Sequence, residues 1–318
     1  MQFALGCTIL SGWNYPRPLF GAVPSAAERA PLLRYARQLG FDGVDLADSW
    51  IDWFSMSDDE LRALRRQVED LGLVCAGLNP YRSILVRHAA AARNEARLRR
   101  TIEVAALLGA PVVNIPLSVP FPAVWSEAAR AARQLQLARA ADYSDAEWQT
   151  TAEKLSALAR LAAEHGVALT IELHDDGMCD DSDSTLRMWR LVGQPNVGVN
   201  PDLQNLYRVP YPCEDWRRAL LNLAPHTNFW HVKSCAKTYV VDEARSYSRG
   251  ATLVDGEIDY RWALTQMVRA GFDGWISIES GGGDSLEHAG TDLAYLRRLL
   301  DEWVPLAVPG YQAGRGGL

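Results

Sequence analysis

Four residues in the second half of the chain have the types and spacing to do chemistry together: Glu172, Asp202, His231 and Glu279. Each ends, or closely follows, a short apolar run. These runs are Leu169-Thr170-Ile171-Glu172, Val197-Gly198-Val199-Asn200-Pro201-Asp202, Phe229-Trp230-His231-Val232 and Trp275-Ile276-Ser277-Ile278-Glu279. An ionisable group on an apolar strand is costly unless it is paired or coordinated. Four in succession, all toward the same end of their strands, read as the ligands of one divalent metal ion. Three carboxylates and one imidazole make an oxygen-rich, hard site, so manganese comes first, with magnesium, cobalt or zinc as alternatives. For any single carboxylate the plain alternative is a buried salt bridge to a barrel Lys or Arg.

The elements that must position these residues alternate along the whole chain. Candidate strands are Phe3–Thr8, Gly43–Leu46, Leu73–Gly77, Val112–Ile115, Ala168–Leu173, Val197–Asn200, Phe229–Lys233 and Trp275–Glu279. Helical patterns fill the intervals, as in Trp148–His165, where Leu155, Leu158, Leu161 and Ala162 recur at helical spacing. Eight strands each followed by a helix predict an α/β protein, a closed (β/α)8 TIM barrel in one domain over 1–304 with a tail at 305–318. A local repeat agrees. Leu39-Gly40-Phe41-Asp42-Gly43 before the second strand returns as Ala270-Gly271-Phe272-Asp273-Gly274 before the eighth. In both, one glycine ends a helix and the next lets the chain turn into a strand. Long loops interrupt the rhythm after strand four (116–147) and strand seven (234–257), which in this architecture places them at the mouth of the barrel.

In a parallel barrel the C-terminal strand ends converge, so Glu172, Asp202, His231 and Glu279 can face one point. His174 lies two residues beyond Glu172, on the same side and nearer the mouth, where it could act as a general acid or base; a satisfied loop histidine is the alternative. Lys233 stands in the same relation to His231 and could steady an oxyanion, or form a salt bridge to Asp202 or Glu279. The candidate catalytic residues are therefore Glu172, Glu279, His174 and Lys233. Aromatic residues crowd the early loops, and Trp13 and Trp50 are the candidates for stacking on a sugar face.

Composition narrows the function classes. There are 32 basic and 39 acidic residues, a net charge of −7, and no basic stripe to meet phosphates, which argues against a nucleic-acid partner. No run is long and apolar enough for a membrane span, and no signal-peptide pattern opens the chain, so a cytoplasmic protein is expected. Five scattered cysteines, none spaced as CxxC, fit neither a disulfide framework nor a thiolate zinc site.

The order Glu, Asp, His, Glu on strands five to eight resembles the xylose isomerase-like TIM-barrel superfamily. The resemblance extends from Leu39–Leu46 to Glu279. It implies a metal that polarises a carbonyl or hydroxyl of a sugar, keto-sugar or cyclitol, while adjacent groups move a proton on the neighbouring carbon. In the family's ketose 3-epimerases, the glutamates matching Glu172 and Glu279 exchange that proton from opposite faces, and a histidine tends to follow the aspartate. Here Pro201-Asp202-Leu203-Gln204-Asn205 has none. Glu172-Leu173-His174 and the segment around Asn205 look more like the C-glycoside deglycosidase branch, in which an aglycone leaves a 3-keto-sugar after proton abstraction; the inosose dehydratases are the other close branch. That likeness gives Asn205 to the substrate. The expected partner is a small carbohydrate, with a homo-oligomer or a small partner subunit as further options. Alternatives are a ketose 3-epimerase, a sugar-binding barrel or scaffold subunit without catalysis, and a DNA-repair endonuclease on the same barrel. Six histidines and the acidic balance speak against the last.

Overall fold

Short strands, buried at nearly every position, form the centre of the fold. The computed structural model describes residues 1–10, 24–80, 91–118, 138–281 and 283–312. The barrel strands are β1 (Gln2–Gly6), β2 (Gly43–Ala47), β3 (Val74–Asn79), β4 (Val112–Pro116), β5 (Ala168–Glu172), β6 (Val197–Asn200) and β7 (Phe229–Val232). A hairpin of β8 (Ser234–Val240) and β9 (Arg245–Ala251) intervenes before the eighth barrel strand, β10 (Trp275–Ile278). The eight run parallel in the order β6-β5-β4-β3-β2-β1-β10-β7. Between β6 and β7 the ladder thins to one bridge, Val199 with Thr227. There a side chain completes the closure: Asn200 Oδ1 accepts the His231 N–H at 2.7 Å. The eight-strand (β/α)8 barrel expected from the sequence is the observed fold.

Helices pack outside this barrel: α1 (Ala26–Leu39), α2 (Asp58–Asp70), α3 (Ala91–Leu108), α4 (Asp145–Glu164), α5 (Ser182–Val192), α6 (Leu203–Tyr207), α7 (Trp216–Leu223), α8 (Tyr260–Arg269), α9 (Ser285–Arg298) and α10 (Val304–Ala307). Capping boxes start four of them, with Ser25 and Glu28, Ser57 and Glu60, Ser144 and Glu147, and Asp181 and Ser184 bonded reciprocally. The repeated turns are one structural unit. Gly40 and Gly271 take positive φ of 103° and 82°, and Phe41 and Phe272 are buried behind them. A Cβ on Gly43 would lie 2.7 Å from the Val74 carbonyl, so the strand entry requires glycine. In the tail, Val308 and Tyr311 pack against the core, and Arg269 bonds the Ala307 carbonyl.

The segment 234–257 is the hairpin, antiparallel from Ser234↔Ala251 to Val240↔Arg245. It rests on the barrel mouth, where a Cβ on Gly250 would strike Gly281 at 2.8 Å. Asp292 on α9 anchors both segments, accepting from Ser280 Oγ and from the Leu253 N–H. Burial raises its carboxyl to about 6, against the opposing pull of those hydrogen bonds. The neutral form is thus the favoured one in the fold. Its stabilisation is complete below the ordinary value of 3.8 and is lost as pH rises to about 6. Asp292→Asn should therefore gain on the wild type by up to roughly 3 kcal/mol between about pH 4 and pH 6.5, read from thermal melts across that range. A pH-independent difference would show that Asp292 carries no such strain.

Candidate metal centre

Glu172 is the last residue of β5, His231 lies within β7, Asp202 caps α6 and Glu279 follows β10. Their strands are neighbours or near neighbours around the closure, so the four side chains meet. One ligand atom from each lies within 4.8 Å of all the others, and all four residues are buried. His231 Nδ1 stands 3.4 Å from Glu279 Oε2, 3.5 Å from Glu172 Oε1 and 4.0 Å from Asp202 Oδ2, yet it makes no hydrogen bond. Donors that share an ion with bonds of about 2.0–2.2 Å stand about 3–4 Å apart, which is this spacing.

The electrostatics of the cluster are those of crowded, buried acids. Burial and repulsion from Glu172 and Glu279 push the Asp202 carboxyl up to about 7, even though Lys233 pulls the other way. Burial opposes charge on Glu172 and Glu279 too, but His231 and Lys233 outweigh it and hold both below the usual range. Burial likewise opposes charge on His231, and Glu279, Asp45 and Glu172 together raise it well above an ordinary imidazole. Three crowded, buried carboxylates facing one imidazole nitrogen form a donor set that suits a divalent ion.

A belt of amides, which the sequence reading passed over, orients the two glutamates. Asn114 on β4 donates to Glu172 Oε2 at 2.7 Å and to Asn79 Oδ1 at 3.1 Å. Asn79, at the end of β3, and Thr8 both donate to Glu279 Oε1. Asn200 donates to Asn114 Oδ1 at 3.2 Å, so the belt runs on to the β6–β7 closure. Asn205 is fully buried and donates to Glu172 Oε1 at 2.9 Å and to the Leu173 carbonyl at 3.3 Å. These bonds tie it to Glu172 and to the end of β5. Asn114→Leu, which removes three of these bonds, should cost roughly 2–4 kcal/mol of stability and leave Glu172 unsteered. Chemical denaturation with and without Mn²⁺ checks this: the variant should be rescued less by metal.

The remaining sequence candidates fall as follows. His174 is buried, and its Nδ1 lies 2.7 Å from the Asp175 carbonyl and 3.2 Å from Asp175 Oδ1. Burial lowers its pKa against the pull of Asp175 and Glu172, which favours the neutral imidazole. Arg208 grips both oxygens of Asp175. Lys233 Nζ lies 2.6 Å from Asp202 Oδ2 and 2.8 Å from Glu279 Oε2, the salt bridge foreseen as its alternative role. Trp50 and Trp53 are fully buried in the core, so Trp50 presents no open face for stacking. Trp13 lies outside the described residues, as do Tyr15 and Tyr81. Beside the mouth, the hairpin and Arg208 enclose a cavity of about 150 Å³ lined by Asp175, Arg208, Pro210, Arg245 and Tyr247. All five cysteines are free, and no helix among the described residues is long and apolar enough to cross a membrane.

The family model for the xylose isomerase-like TIM barrel matches residues 33–299. No curated protein sequence matches significantly. Among solved structures, a xylose isomerase-like TIM barrel protein from Mycobacterium smegmatis, in complex with magnesium, is 25% identical. That match covers 94% of this chain and 96% of that one, with a TM-score of 0.78. An L-ribulose 3-epimerase is 17% identical over 96% of this chain and 95% of that one, with a TM-score of 0.71. The probable 3-DHS dehydratase of petrobactin synthesis from Bacillus anthracis is 16% identical over 93% and 99%, with a TM-score of 0.69. The last two likenesses show the fold alone.

Proposed function

The chain belongs to the xylose isomerase-like TIM barrel family, and from that premise we propose that it is a metal-dependent enzyme moving a proton on a sugar or keto-sugar carbon, as an isomerase, epimerase or lyase. The observation that carries this is the meeting of Glu172, Asp202, His231 and Glu279 at one buried point. Bound there, a divalent ion would polarise a substrate carbonyl or hydroxyl and acidify the neighbouring C–H. Magnesium in the Mycobacterium smegmatis neighbour supports a hard cation.

The chain's own groups supply the rest. Glu172 and Glu279 are ionised, fixed by the amide belt, and placed on different strands, so each is fit to take a proton from carbon. With the His174 Nδ1 proton directed to the Asp175 carbonyl, Nε2 holds the lone pair of a neutral base. Lys233 offers an ammonium to a developing oxyanion. Within the proposal, the lyase branch is preferred: a base removes the proton next to the ketone of a 3-keto-glycoside, and the electron pair moves through the enolate to expel the aglycone. His174 beside Glu172 and the absence of histidine after Asp202 support it. The ketose 3-epimerase reading is the second, supported by the paired glutamates.

The test combines elemental analysis with exchange in D2O. About one Mn, Mg, Co or Zn per chain, together with deuterium entering a ketose or 3-keto-glycoside at the carbon next to the carbonyl, supports the proposal. Release of the aglycone marks the lyase, and an inverted, deuterated ketose marks the epimerase. No metal after Mn²⁺ is supplied, and no exchange, would leave a binding barrel.

A further inference from the structure

We infer that Asp45 is a positioning residue that fixes the imidazole of His231, so that Nδ1 faces the metal and Nε2 does not. The inference rests on the metal reading above and concerns a residue on the far side of a neighbouring strand. Asp45 lies in the middle of β2, whose five positions are all buried, and is only 1% exposed. Its Oδ2 lies 3.0 Å from His231 Nε2 and accepts from Ser277 Oγ at 3.0 Å. His231 and Ser277 are in register on the adjacent strands β7 and β10. Between β2 and β10 runs β1, so the carboxylate must reach across an entire strand.

Glycine makes that reach possible. The β1 residue in register with Asp45 is Gly6. A Cβ there would stand 2.6 Å from Glu279 Cγ and 3.2 Å from Ser277 Oγ. On the other side, a Cβ on Gly77 of β3 would stand 3.2 Å from Asp45 Oδ1. Two side-chain-free positions thus flank the carboxylate and keep its path to the imidazole open. With Nε2–H donating to Asp45, Nδ1 is turned toward Glu172, Asp202 and Glu279, where it would offer its lone pair once an ion displaces its proton. A carboxylate on the far nitrogen orients a metal-binding imidazole and raises its basicity, and losing such a partner costs about 10–100-fold in metal affinity.

Mn²⁺ and Zn²⁺ titration of chelator-treated protein provides the first readout. Asp45→Asn should bind about 10–100-fold more weakly. Ser277→Ala, a gentler change that removes only the hydroxyl steering Asp45, should bind a few-fold more weakly. Gly6→Ala should weaken binding as well, by displacing Glu279 and Ser277. The second readout uses ¹⁵N-histidine NMR of the Zn²⁺-loaded protein. The wild type should show a downfield, slowly exchanging proton on Nε2 of His231, and Asp45→Asn should shift or lose it. A wild type that binds metal, with an Asp45→Asn variant that binds equally well, overturns this inference and leaves the metal centre standing. A Zn²⁺-loaded wild type with the His231 proton on Nδ1 does the same. A wild type that binds no metal overturns both.

Discussion

Asp202→Ala protein is expected to fold, to melt no earlier than wild type after chelation, and to leave dialysis with no bound metal. Asp202 is fully buried, and its capping bond from the Asn205 N–H is long, at 3.4 Å. It is also the carboxyl that its neighbours tolerate least, pushed up to about 7 by burial and by Glu172 and Glu279. Removing it relieves repulsion in the chelated protein, although Lys233 keeps only Glu279 as a partner. With metal present the sign reverses, because one of four protein donors and one negative charge are lost. A buried charge deprived of a partner costs roughly 3–5 kcal/mol, or about two to three and a half decades of affinity. The same carboxyl contributes to the pH dependence of the wild type. Its proton, pushed up to about 7, and the proton on His231 both compete with the metal, so Mn²⁺ affinity should rise steadily as pH increases from about 5.5 to about 8.5. Calorimetric titration from pH 5.5 to 8.5 reads both effects. Full metal content in the variant would remove Asp202 from the ligand set.

The barrel was legible because its signal is periodic. Buried strands and one-faced helices alternate from Gln2 to Arg298, and two copies of the same glycine turn mark strand entries. The four charged residues stood out at strand ends because a charge among Val, Ile and Trp is conspicuous. Amides are cheaper to bury and easier to overlook. Asn114 sits inside the strand expected over Val112–Ile115 and drew no attention. Asn79 fell outside the expected Leu73–Gly77, since the strand runs two residues further. Asp45 sits inside the strand expected over Gly43–Leu46. On a strand buried at all five positions there is no inward-outward alternation to mark it as facing inward. The hairpin was hidden for the opposite reason. Tyr239, Val241 and Tyr247 are exposed, so no buried face patterns the segment. Its turn uses Ala244 at φ 50° where Asn-Gly or Asp-Gly would have been recognisable.

Lys233→Met should move binding and catalysis in opposite directions, which no purely structural lysine would do. The ammonium lies against Asp202 and Glu279 at 2.6 and 2.8 Å, on oxygens that a divalent ion would also use. Burial works against its charge, but Asp202, Glu279 and Glu172 outweigh that and hold it protonated across the accessible pH range. Its place is fixed from behind by the Tyr260 hydroxyl, which donates to the Lys233 carbonyl at 2.7 Å. An ammonium this close repels an incoming divalent ion by several kcal/mol at an effective dielectric constant of about 20. Its removal should therefore tighten metal binding by at least about tenfold. The chelated variant should melt earlier, because Asp202 and Glu279 then lose their shared ammonium and keep only His231 as a nearby positive group, a loss of roughly 3–5 kcal/mol. At saturating metal, kcat should fall by about 10²–10³, the usual effect of removing one donor from a developing oxyanion. Metal titration, thermal melts with and without chelator, and kcat at saturating Mn²⁺ separate the three effects. Tighter metal with kcat unchanged would make Lys233 a counter-ion for the ligands. Weaker metal would mean that the ammonium holds Asp202 and Glu279 in their binding geometry.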